Sequence, residues 1–208
     1  VESVAELAGM SGLPAGNPEG WFLPETYAFV RGDSDLQILR RAHQAMQENL
    51  AQTWKARDVG LPYETPEELL IMASIVEKET SLASERADIA GVFVRRLLKR
   101  WRLETDPTVI SGMGEAYRGN IRRQELKTDT PYNTYTRHGL PPTPIALPGL
   151  AAIQAAAHPA DGEAMFFVAN GKGGHTFSNT LEAHNKAVRH LIKLNRNASS
   201  QPDSKEQG

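Results

Sequence analysis

The 208-residue chain carries 23 Lys+Arg against 25 Asp+Glu, a formal net charge of −2, with 40% hydrophobic and 23% charged residues. Those proportions favour a packed core over global disorder, and the absence of a basic excess argues against a nucleic-acid partner. With no cysteine, disulfides, thiolate chemistry and cysteine-ligated zinc are excluded.

Residues 1–20 (VESVAELAGMSGLPAGNPEG) read as a short helical piece followed by a Gly/Pro-rich connection. The chain opens on Val1 rather than methionine, so a fragment of a longer protein is expected. No apolar run reaches the roughly 18 residues of a spanning helix. WFLPETYAFV is dense in aromatics but broken by Pro24, and is expected to be an extended, partly buried segment. SDLQILRRAHQAMQENLAQTWKAR predicts a helix capped by Ser34 or Asp35, with Leu36, Ile38, Leu39, Ala42, Met46 and Leu50 forming its apolar stripe.

TPEELLIMASIVEKET carries a strong start signal, with Thr65 as N-cap, Pro66 at the first position and Glu67 and Glu68 in the first turn. ERADIAGVFVRRLLKR predicts a further helix with Ile89, Val92, Phe93 and Leu97 on one face. From Leu103 to Pro148 the chain turns rich in Gly, Pro, Thr, Asn and Tyr, and a long functional loop region is expected. PGLAAIQAAAHP returns to helix, AMFFVAN reads as a buried strand, and GKGGHTFS as a tight turn into a second short strand. TLEAHNKAVRHLIKLNRN predicts a final helix capped near Thr180, and ASSQPDSKEQG a disordered tail. Helices with a few short strands make the class α+β.

Two carboxylates, Glu77 and Glu79, close the helix that starts at Thr65. At about 100° per residue, with Leu69 at zero, Glu79 falls near about 280°, among Met72, Ile75 and Val76, and Glu77 near about 80°. They point to opposite sides and do not form a close pair. Glu77 lies on the flank of Ser74, where a solvated or salt-bridged residue is the plainer alternative. Partial burial and the negative end of the helix dipole both disfavour a charged Glu79, which suits a general acid. Its plainer alternative is a structural ion pair with Arg86.

ASIVEKET followed by Glu85-Arg86, LETDPTV, PYNTY with GLPPTPIALPG, AAAHP and GKGGHTFS together resemble, in order and over most of the chain, the endolytic murein transglycosylases of the MltG or YceG-like family. The resemblance implies a catalytic domain over residues 17–195. It makes residues 1–16 the remnant of a preceding LysM-like region and linker, and 196–208 a disordered tail. It further implies a single-pass bacterial inner-membrane protein with its catalytic part in the periplasm. The expected substrate is the peptidoglycan glycan strand, and penicillin-binding proteins are expected partners. The expected reaction cleaves the MurNAc–GlcNAc bond and leaves 1,6-anhydro-MurNAc ends, with no cofactor and no metal.

In that family the second glutamate of EKET is catalytic, which is Glu79 here. Most glycosidases use two carboxyl groups. A lytic transglycosylase can use one: the acid protonates the glycosidic oxygen, and its carboxylate then takes the proton of the attacking 6-hydroxyl. Candidate substrate-binding residues are Glu77, Thr105, Asp106, Tyr132, Asn133, Tyr135, His175 and Thr176. Phenol, amide and hydroxyl groups suit N-acetyl and hydroxyl recognition, and aromatic faces suit sugar rings. Loop packing for the YNTY residues and simple turn initiation for Asp106-Pro107 are the plainer alternatives. Ser111 departs from the family pattern, where an aromatic is expected. GKGGHTFS is no phosphate loop, because Lys172 precedes the glycines and no Ser or Thr follows it. His175, His184 and His190 do not have zinc-motif spacing. GLPPTPIALPG reads as a rigid wall. A muramidase that uses water, or a glycan-binding module without activity, are the competing readings.

Overall fold

A computed structural model describes residues 17–199. The expected pieces at residues 1–16 and 200–208 lie outside the described residues. Two compact units divide the chain, Val1–Ala160 and Asp161–Gly208.

The first unit contains α1 (Asp35–Ala56), α2 (Pro66–Glu79), α3 (Arg86–Leu98), α4 (Asp106–Met113) and α5 (Leu150–Ala157). Helix α1 starts in a full capping box: the Ser34 hydroxyl accepts from the Gln37 N–H, and the Gln37 side chain accepts from the Ser34 N–H. The segment before it is fastened by the Leu23 N–H to the Ala42 carbonyl at 3.1 Å and by the His43 ring nitrogen to the Trp21 carbonyl at 2.9 Å. Phe22 and Leu23 are buried there, while the chain from Pro24 onward is mostly exposed.

Helix α2 is the centre of this unit. Thr65 caps it by accepting the Glu68 N–H at 3.2 Å, and Pro66 opens it. Every residue from Leu69 to Val76 is buried, because α1, α3, α4 and α5 surround it. The two-sided pattern expected of α2 is therefore confined to its last turn. Ser74, placed on a polar flank by the helical wheel, is fully buried and donates its hydroxyl to the Ile71 carbonyl. Side chains such as Leu69, Leu70, Met72 and Ile75 each stabilise the fold by about 1.5–3 kcal/mol through burial.

The region 103–148 is less irregular than its composition suggests, because α4 forms inside it. Asp106-Pro107 opens a helix rather than merely a turn, with Pro107 in the first turn where its missing N–H costs nothing. Gly112 lets α4 lie close against the following loop: a Cβ there would meet the Thr130 hydroxyl oxygen at 2.7 Å and Tyr132 Cβ at 3.1 Å. The rest holds two short 3-10 turns, Gly114–Ala116 and Glu125–Lys127. The proline-rich wall is pinned to α2 at two points. The Ser74 hydroxyl accepts from the Ile145 N–H at 3.0 Å, and the Glu77 carboxylate from the Gly149 N–H at 3.1 Å.

In the second unit β1 (Phe166–Ala169) pairs antiparallel with β2 (His175–Ser178), with Phe167 opposite Phe177. Between them the Asn170 side chain accepts from the Lys172 and Gly174 N–H groups, and Gly171 and Gly173 take positive φ. Helix α6 (Leu181–Ser199) starts at Thr180, whose hydroxyl accepts from the Ala183 N–H at 3.2 Å. It runs on through residues 196–199, where a disordered tail was expected. Among the described residues no helix is long and apolar enough to cross a membrane.

Candidate active site

The two carboxylates that end α2 go to different neighbours. Glu77 accepts from the Gly149 N–H at the start of α5. Half-buried, it ties the proline-rich wall to the helix. Glu79, half-buried, accepts through Oε1 from the Thr105 hydroxyl at the start of α4. The alternative of a Glu79–Arg86 ion pair is not formed: Arg86 donates to the Ser81 carbonyl, and its buried Nε has no acceptor.

Thr105 holds the N-cap position of α4, yet its side chain makes no capping bond. It is 3% exposed and sits in a cluster with Thr108, 0% exposed, and Thr134, 2% exposed. Its N–H donates to the Thr134 hydroxyl oxygen at 3.2 Å, and its carbonyl accepts the Thr108 hydroxyl at 2.7 Å. The Thr108 and Thr134 hydroxyls lie 2.8 Å apart. Just before Thr105, Glu104 has φ 50, a left-handed conformation uncommon for a non-glycine residue, with its N–H donating to the Thr134 carbonyl.

Around this core stand groups that the sequence reading did not connect. Arg96 is buried and donates to the Leu103 carbonyl. Burial holds its guanidinium below the usual range, and the acidic groups Glu104, Tyr135 and Glu79 pull the other way, which places Arg96 in electrostatic reach of Glu79. The signal was present in α3, since Arg96 follows Val92 and Phe93 by four and three residues on the apolar face. Thr108 and Thr134 gave no such signal, because their importance lies in pairing across 26 residues of chain.

Among the sequence candidates, Asp106 and Tyr135 meet: the exposed Asp106 carboxylate accepts the Tyr135 hydroxyl at 2.7 Å. Burial, then that bond and the negative charges of Asp106, Glu104 and Glu79, push the Tyr135 phenol up, so it stays a donor. The helical wheel separated Glu79 only from Glu77; folding brings Glu104 and Asp106 to the neighbourhood from another segment. Asn133 is enclosed by its own loop. It is 1% exposed, donates to the Glu125, Leu126 and Thr128 carbonyls and accepts from the Tyr135 N–H, so its amide shapes the loop. Tyr132 is half-buried, with its hydroxyl 2.7 Å from the Thr143 hydroxyl. Ser111 is half-buried on α4. His175 and Thr176 lie in the second unit on β2, with the His175 ring edge-on to Phe167 at 5.4 Å and Thr176 exposed.

Fold and site together define a helix-rich α+β protein whose central buried helix ends in a glutamate held by a threonine hydroxyl. The sequence matches the YceG-like family over residues 2–190, and the chain belongs to that family. It is 36% identical over 174 residues to an endolytic murein transglycosylase of Bacillus subtilis (strain 168), across 84% of this chain and 48% of that protein. It is 30% identical over 187 residues to an endolytic murein transglycosylase of Streptococcus pneumoniae (serotype 2, strain D39), across 85% of this chain and 33% of that protein. A crystal structure of a yceG-like protein from Listeria monocytogenes superposes with a TM-score of 0.70 at 36% identity, over 89% of this chain and 60% of that one. The chain thus spans half or less of the length of the two named enzymes.

Proposed function

We propose that this chain carries the catalytic part of an endolytic peptidoglycan lytic transglycosylase, with Glu79 as its acid and then its base. The observation that carries the reading is the Glu79 carboxylate itself, at the end of a helix whose Leu69–Val76 stretch is buried throughout, and hydrogen-bonded by Thr105. The two transglycosylases it resembles give the substrate class. Glu79 protonates the glycosidic oxygen between MurNAc and GlcNAc as the bond breaks. Its carboxylate then accepts the proton of the muramoyl 6-hydroxyl, which closes onto the anomeric carbon. One proton passes out and one returns, no water is consumed, and the product ends in 1,6-anhydro-MurNAc. The exposed Asp106, beside Thr105, and the half-buried Tyr135 bonded to it are assigned to sugar contacts, and Glu77 to holding the wall.

A second reading has its own support. Asp106 is an exposed carboxylate near the same site, and a muramidase that uses water would need such a second carboxyl group. Mass spectrometry of products from purified glycan strands separates the two readings. Anhydro ends with wild type and no cleavage with Glu79→Gln are expected; reducing ends would instead assign the hydrolase, and full activity of Glu79→Gln would refute both. Anchorage in the bacterial inner membrane, a periplasmic catalytic part and penicillin-binding protein partners belong to the same proposal and rest on the family alone.

A further inference from the structure

We propose that Thr105 is the positioning residue of the Glu79 site and that it assigns the transferable proton to Oε2 of Glu79. The inference rests on Glu79 being the acid and base of the reaction. The donor directions in the threonine cluster are forced. A carbonyl only accepts, so the single hydroxyl proton of Thr108 goes to the Thr105 carbonyl. The contact between Thr108 and Thr134 must then use the proton of Thr134. The Thr134 oxygen in turn accepts the Thr105 N–H. The result is a closed ring: Thr105 N–H to Thr134, Thr134 to Thr108, Thr108 to the Thr105 carbonyl. Both backbone polar groups of Thr105 are clamped in a buried setting, and its hydroxyl proton is the one donor outside the ring.

That proton goes to Oε1 of Glu79. A threonine at an N-cap ordinarily accepts a hydrogen bond from its own helix, and at α4 that bond is not made. The left-handed Glu104 sets the chain direction immediately before it. A forgone cap, and a left-handed neighbour whose N–H is held by the Thr134 carbonyl, indicate a hydroxyl placed for something other than starting a helix.

The chemical consequence concerns which carboxyl oxygen works. With the Thr105 hydroxyl donating to it, Oε1 behaves as the carbonyl-type oxygen of protonated Glu79, and the acid proton sits on Oε2. After that proton passes to the glycosidic oxygen, Thr105 keeps donating to Oε1, and Oε2 is the oxygen that accepts the proton of the 6-hydroxyl. The same hydrogen bond serves both half-reactions, so one carboxyl acts as acid and then base from one atom without turning.

Kinetics of wild type, Thr105→Val, Thr105→Ser and Glu79→Gln on purified glycan strands test this, with thermal melts run in parallel. Thr105→Val is expected to keep KM and lower kcat about 100-fold, the scale of a misplaced catalytic group. The alkaline limb of its kcat/KM profile is expected to move to higher pH, because a donor to the charged carboxylate is gone. Thr105→Ser restores both. Wild-type kcat and an unmoved limb in Thr105→Val, with Glu79→Gln inactive, would overturn this inference alone. Equal losses in Val and Ser variants with equally lowered Tm would also overturn it, as a purely structural role. A Glu79→Gln variant that cleaves like wild type would instead overturn the functional reading beneath it.

Discussion

Thr65 and Thr105 occupy the same position in two helices of the same unit, and they do different work. Each stands at an N-cap with extended backbone angles and has a proline in the first turn that follows. The Thr65 hydroxyl accepts from the Glu68 N–H and completes its helix. The Thr105 hydroxyl leaves its helix uncapped and donates to Glu79. The difference is burial and neighbours rather than residue type. Thr65 is exposed, and its best partner is local. Thr105 is buried and has the Glu79 carboxyl oxygen within reach of its hydroxyl proton, a partner that Thr65 lacks.

Exchanging the two roles is the most direct way to break this comparison. Thr105→Val should cost about 100-fold in kcat, as above, whereas Thr65→Ala should leave kcat alone and lower stability by about 1 kcal/mol. A loss of kcat in Thr65→Ala matching that of Thr105→Val would dissolve the distinction. Thr134→Val sharpens it from the side of the ring. It leaves the buried Thr105 N–H without an acceptor, for about 1–3 kcal/mol of stability by denaturant titration, together with a fall in kcat. An unchanged unfolding midpoint in that variant would speak against the closed ring.

The two glutamates of α2 offer a smaller contrast. Glu77→Gln retains an oxygen that can accept from Gly149, so about 0.5–1.5 kcal/mol is the most it should lose, with cleavage of glycan retained. Abolished cleavage in a folded Glu77→Gln would move the chemistry to the wrong carboxylate. The smallest effect belongs to the exposed loop beyond the site. Arg137 donates to both oxygens of Asp129, and Thr136 to one, which holds the Asp129 carboxyl down at about 2 from 3.8. A carboxyl lowered on folding adds stability above its unfolded value and loses it as pH falls through the folded one. Acid titration of the folded protein should therefore show a slight loss between about pH 4 and 2 that is absent in Asp129→Asn. Its size should be small because the pair faces solvent.

Much of the helical frame was legible from local signals. Ser34, Thr65 and Thr180 mark the helix starts they were expected to mark, because a short polar side chain ahead of an apolar stripe acts through neighbouring backbone alone. The hairpin between AMFFVAN and GKGGHTFS was legible for the same reason, through its glycines and Asn170. Helix α4 was not, since eight residues with one proline and one glycine carry too little periodicity to stand out from a loop. The wheel on α2 set its two glutamates apart but misread Ser74, because a helix enclosed on all sides by four others has no polar flank to read.

By itself, the sequence determined the starts of the longer helices, the α+β class and the family, and it singled out Glu79 at the end of an apolar helix. Those features depend on short-range spacing and on residue order. Only the tertiary structure decided what Glu79 meets. It gave the Asn133 amide to the carbonyls of its own loop and Glu77 to the Gly149 backbone, and brought Arg96, Tyr135 and the threonine ring to one place. The physical reason is that a hydrogen bond depends on a few tenths of an ångström and on which donors are already spent. Between groups 26 or 29 residues apart, such as Glu79 with Thr105 or Thr105 with Thr134, those conditions exist only once the chain is packed.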